Sequence, residues 1–104
     1  MKARKILVDL RAKLDSIYGR RLKALVLFGS HARGDAVRGS DVDVLVVLSG
    51  TVNPGKEIAR TGKVVAALSM EYDAVISCVF MSSKRFENEN TPLLINVRNE
   101  GVRL

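Results

Sequence analysis

One cysteine, Cys78, in a chain of 104 residues leaves no intrachain disulfide and no cysteine-based zinc site. Tryptophan is absent, and two tyrosines and three phenylalanines are too few to supply a stacking platform for single-stranded nucleic acid. Long apolar runs are missing as well; Val44 to Leu48 is representative, far short of a bilayer span. The start, Met1-Lys2-Ala3-Arg4-Lys5, is basic, but Asp9 and Arg11 interrupt the apolar residues after it, so no signal-peptide apolar region is expected. These absences point to a cytoplasmic protein with no membrane partner. What is there is an ordinary globular balance, 47% hydrophobic and 27% charged, in a length that suits a single domain over residues 1–104.

Charge is distributed unevenly. Residues 1–38 hold ten Lys/Arg against Asp9, Asp15 and Asp35, whereas residues 39–104 hold seven against eight acids. A basic half suits a polyanionic partner such as a nucleotide, a nucleic acid or an acidic protein face; a solvated helix surface is the plainer alternative. No internal repeat, low-complexity tract or linker interrupts the chain.

Ile6/Leu7, Leu10, Leu14 and Ile17/Tyr18 recur at helical spacing and predict an amphipathic first helix that Gly19 stops. Leu22 to Phe28 reads as a buried strand ending at Gly29, and Asp41 to Leu48 as a second, β-branched one. Asn53-Pro54 is a helix start, an N-cap followed by proline, and the helix it opens runs to about Met70. Tyr72 to Met81 predicts a third strand, Ser82 to Glu89 a short helical turn with serine caps, and Thr91-Pro92 a last helix closed at Glu100-Gly101. This order gives an α/β (α+β) domain with three or four strands in a small mixed sheet flanked by helices.

The chemistry concentrates between Gly29 and Asp43. A strand delivers the chain into Gly29-Ser30, where the missing side chain lets a phosphate approach the backbone and the serine adds a hydroxyl donor. A Walker loop is excluded, because Asp35 stands where that motif needs lysine, and no G-x-G-x-x-G occurs. Asp41 and Asp43, two apart on a strand, put both carboxylates on one face about 7 Å apart, a spacing that can share Mg²⁺ with nucleotide phosphates. Two solvated aspartates at a strand entrance are the alternative. Arg33 and Arg38 flank the loop as candidate phosphate contacts, or as loop-solubilising charges or an ion pair with Asp35. His31 reads as exposed and incidental, and Cys78 as a buried, inert thiol.

Gly29-Ser30, the ten-residue spacer His31 to Ser40, and Asp41-x-Asp43 running into Val-Leu-Val-Val-Leu together form a pattern that resembles the nucleotidyltransferase superfamily, which includes DNA polymerase β. Leu27-Phe28-Gly29-Ser30-His31-Ala32-Arg33-Gly34 is similar to its minimal prokaryotic members, the MNT proteins. That similarity continues through Glu71 to Val75 and Pro92 to Gly101, nearly the whole chain.

The resemblance implies the nucleotidyltransferase fold and a nucleotide site at Gly29, Ser30, Arg33 and Ser40. It further implies a catalytic, metal-binding triad in which Asp73, from the start of the third strand, joins Asp41 and Asp43 around Mg²⁺ or Mn²⁺. The implied activity is transfer of AMP from ATP to a hydroxyl on a partner protein. MNT proteins pair with helical HEPN-type RNases, so the implied role is that of an antitoxin that adenylylates its toxin. A chain this short has little acceptor surface of its own and must borrow one from that partner or from a second copy in a homodimer. Two readings compete with it. One is an interaction protein that neutralises its partner by binding, against which the retained Ser30, Asp41, Asp43 and Asp73 argue. The other is a nucleic-acid-binding module using the basic half, against which the low aromatic content argues.

Overall fold

The computed structural model describes residues 2–104. In chain order the elements are α1 (Lys2–Tyr18), a 3₁₀ turn (Gly19–Arg21), β1 (Leu22–Phe28), α2 (Ser30–Arg33), β2 (Val42–Leu48), α3 (Pro54–Tyr72), β3 (Ile76–Ser82), α4 (Ser83–Asn88), α5 (Pro92–Glu100) and β4 (Val102–Arg103). The four strands form one mixed sheet in the order β3-β2-β1-β4. β1 runs antiparallel to β2 and to β4, while β3 runs parallel to β2 across the α3 crossover.

Strand alternation divides the core into two layers. Val42, Val44, Val46 and Leu48 of β2 join Ile6, Leu10 and Leu14 of α1 and Leu68 of α3 on one face. Leu45 and Val47 turn the other way, packing with Leu94 and Val97 of α5 and with Phe86 of α4. Central β2 is thus buried on both faces, which is why it reads as a continuous apolar run rather than an alternating one.

The helix signals act as their chemistry requires. Asn53 accepts from the Lys56 amide, Ser82 from Arg85 and Thr91 from Leu94, each satisfying an amide that the first turn leaves unbonded. The α3 start carries more than a cap: buried Glu57 accepts from the Asn53 amide and, at 3.0 Å, from the Tyr18 hydroxyl of α1. Arg21 ties the 3₁₀ turn to the chain beyond β2 by donating to the carbonyls of Ser49 and Thr51.

Two expectations shift. The fourth strand, only Val102 and Arg103, lies beyond the last helix; two residues give no periodicity to detect, and pairing with β1 defines it. The third strand begins at Ile76 rather than Tyr72 because α3 runs on through Tyr72. There the Tyr72 hydroxyl donates to Asp9 of α1, fastening the last turn of α3 to its neighbour. Among the described residues no helix is long and apolar enough to cross a membrane.

Candidate functional site

The site lies where β1 ends, β2 begins and α2 turns between them. Gly29 leaves β1 with φ 75° and ψ −156°, a conformation that only glycine adopts without strain. A Cβ there would stand 2.6 Å from Asp43 Oδ2. The glycine therefore serves the site twice, by turning the chain and by making room for a carboxylate. Its carbonyl accepts the amides of Ala32 and Arg33, so Ser30 opens a one-turn helix that Gly34 closes in the left-handed region.

Asp43 pairs in register with Phe28, and alternation from Leu45 and Val47 places it on the α4/α5 face of the sheet, with Asp41 two residues before it. Asp43 is half-buried and Asp41 exposed. Burial first, and then the neighbouring Asp41 charge, hold the Asp43 carboxyl above its ordinary range, with His31 pulling partly the other way. Among the described residues no ion pair reaches either carboxylate. Two hard, acceptor-only groups side by side with no cation is an arrangement that a divalent ion completes. Asp41 and Asp43 fit that role.

Among the described residues Asp73, expected as the third carboxylate, is not gathered with them into a three-acid cluster. As the residue that ends α3, Asp73 takes φ 48° and ψ 52°, with its amide bonded to the carbonyls of Met70 and Ser69. The β3 residue level with Asp43 is Ser77, four positions further on, up to about 13 Å along an extended chain. Among the described residues no three His, Cys, Asp or Glu side chains converge on a point that could hold a metal ion.

Arg33, Ser40 and His31 belong to the frame around the pair. Arg33 bonds Asp35 at 3.1 Å and Glu100 of α5 at 3.5 Å, which ties α2 to the last helix. Ser40 is part of the loop's own framework: its hydroxyl accepts the Val37 amide and its carbonyl lies 3.1 Å from His31 Nε2. His31, expected to be incidental, thus braces the loop just before Asp41. A histidine within a variable spacer carries no sequence signal for this; only the return of Ser40 toward α2 reveals it. A cleft of about 640 Å³ lies beside the carboxylate pair, not over it, lined by His31, Arg38, Ser40, Met70, Tyr72 and Asp73 among others. Cys78 is half-buried in β3 and its thiol is pushed up to about 11 by burial, as suits an inert side chain.

A strand-glycine-serine-turn leading to an Asp-x-Asp strand, on a mixed sheet of this order, defines a nucleotidyltransferase fold. The chain belongs to the nucleotidyltransferase domain family, whose sequence model matches residues 5–103. It is 34% identical over 102 residues to a protein of Methanocaldococcus jannaschii named "Putative protein adenylyltransferase MJ0604", covering 97% of this chain and 96% of that one. Among solved structures it is similar to a chain of a toxin–antitoxin structure with AMP-PNP (TM-score 0.62, 22% identity, 89% of this chain and 68% of that one). It is also similar to a chain of the complex between a tri-AMPylated Shewanella oneidensis HEPN toxin and its MNT antitoxin (TM-score 0.62, 17% identity, 97% of this chain and 70% of that one). At these identities the structural likeness establishes the shared fold.

Proposed function

We propose that the chain binds ATP with a divalent cation, Mg²⁺ or Mn²⁺, and transfers AMP to a hydroxyl of a helical HEPN-type partner protein, as the antitoxin of such a pair. The observation that carries this reading is the Asp41–Asp43 couple, without an ion pair among the described residues, whose Asp43 packs against a glycine that any side chain would crowd. The names of the M. jannaschii relative and of the solved toxin–antitoxin complex support the nucleotide and the acceptor.

Asp41 and Asp43 hold the ion, which when bound offsets the charge of the triphosphate. Gly29 and Ser30 receive phosphate at the start of α2, with the serine hydroxyl as an added donor. His31 and Ser40 keep the 34–40 loop in place, so that Asp41 enters β2 in the right register. In the transfer, a bond forms between the acceptor oxygen and the α-phosphorus, the bond from that phosphorus to pyrophosphate breaks, and the acceptor proton passes to solvent. Positioning the acceptor supplies much of such a rate, a part that this reading gives to the partner protein.

The test uses labelled ATP, this protein and its helical partner, with mass spectrometry of the partner. AMP added to a partner hydroxyl, most simply a tyrosine, and lost with Asp43→Asn, is the expected result. Neutralisation of the partner by Asp43→Asn as complete as by the wild type, with no AMP on either protein, would establish stoichiometric binding instead.

A further inference from the structure

β3 lies beside β2 in parallel, unbroken register from Val42–Ile76 to Leu48–Ser82, so the neighbour of Asp43 across the sheet is fixed as Ser77. Ile76 and Phe80 belong to the α1/α3 layer and Met81 to the other, which puts Ser77 on the same face as Asp43. Adjacent strands lie about 4.8 Å apart, so the β3 positions within reach of a ligand held by the pair are 75, level with Asp41 and filled by the apolar Val75, and 77, level with Asp43. A neutral hydroxyl occupies position 77.

We infer that Ser77 makes this a one-ion site, in which Asp41 and Asp43 hold a single divalent cation and the place for a second lacks its carboxylate. The inference deepens the nucleotide reading and rests on it. A second Mg²⁺ sits about 3.5–4 Å from the first in two-metal sites, and their mutual repulsion has to be offset by anionic oxygens. This face offers two carboxylates, and among the described residues no third acid converges on them. Asp73 is held four residues away by the cap that ends α3. His31 contributes no oxygen, and its Nε2 is engaged with the Ser40 carbonyl. The same vacancy deprives an acceptor hydroxyl of any proton-accepting carboxylate from β3, so transfer by this chain is slow unless the acceptor brings its own.

Counting bound Mn²⁺ by electron paramagnetic resonance, with the protein saturated by a non-hydrolysable ATP analogue, tests this. Wild type, Ser77→Asn and Asp73→Asn are each expected to hold one Mn²⁺ per chain, and Ser77→Asp two, with AMP transfer to the partner at least ~10-fold faster in Ser77→Asp. Ser77→Glu replaces Ser77→Asp should the latter lose its melting transition. Two ions in the wild type overturn the inference, and their reduction to one in Asp73→Asn would return that residue to the site. A single ion in both acidic variants overturns it too, because position 77 would then not be the vacant ligand position. If the analogue brings no Mn²⁺ to any of the proteins, the nucleotide reading itself fails and the inference falls with it.

Discussion

Replacing Asp43 by asparagine should stabilise the free domain and abolish its response to Mg²⁺-ATP. Two unit charges about 7 Å apart repel by roughly 0.6 kcal/mol at the dielectric of water and by roughly 2.4 kcal/mol at an effective value near 20. Asp43 is half-buried beside exposed Asp41, with no ion pair among the described residues and His31 offsetting part of the repulsion, so a value of about 1 kcal/mol suits the pair at moderate salt. For a domain of this size that raises the melting temperature by about 4–8 °C. The pH dependence has a definite sign. The fold holds the Asp43 carboxyl above its ordinary range, so the native state binds that proton more tightly than the unfolded chain does. Wild type therefore recovers stability as pH falls through the Asp43 range, and the advantage of the asparagine disappears in acid. With Mg²⁺-ATP at about 100 times its dissociation constant, wild type should gain about 2.7 kcal/mol and Asp43→Asn almost nothing, reversing the melting order. Differential scanning fluorimetry of both proteins, with and without Mg²⁺-ATP, measures all of this. A variant that melts below wild type without ligand, or shifts as far as wild type with it, would refute the reasoning.

Two further substitutions test the frame around the pair. Gly29→Ala places a methyl group against Asp43 Oδ2 in a backbone region unfavourable to it; calorimetry should show at least ~10-fold weaker ATP binding and denaturant unfolding a loss of about 1–3 kcal/mol. Burial, and then the bond to Glu57, push the Tyr18 phenol up to about 12, above the ordinary value near 10, so its contribution is whole below about pH 10 and is lost as pH rises through 12. Tyr18→Phe should flatten that alkaline fall in urea midpoints, and at neutral pH cost about 1–3 kcal/mol by leaving Glu57 without its phenolic donor.

By itself the sequence determined the elements whose signals are local. Leu22 to Phe28 forms β1 with the expected ends, because an apolar run stopped by a positive-φ glycine carries its own boundary. Asn53-Pro54 and Thr91-Pro92 open helices where expected, since a cap and its proline act within one turn. The Gly29-Ser30 to Asp41-x-Asp43 spacing also identified the family, because a short strand-turn-strand unit holds that part of the site. What only the tertiary structure decided depends on residues far apart in the chain. The end of α3 lies beyond Met70 because Tyr72 is bonded to Asp9, 63 positions away, and that extension turns Asp73 into a helix cap. Whether Asp73 or Ser77 stands beside Asp43 is a question of strand register between β2 and β3. Register is set by which faces the crossover buries, and a period of two gives neighbouring residues opposite faces. Asp73 is an acid of the right type in nearly the right place, and no local pattern distinguishes it from one that reaches the site. The packing of α3 across the sheet makes that distinction.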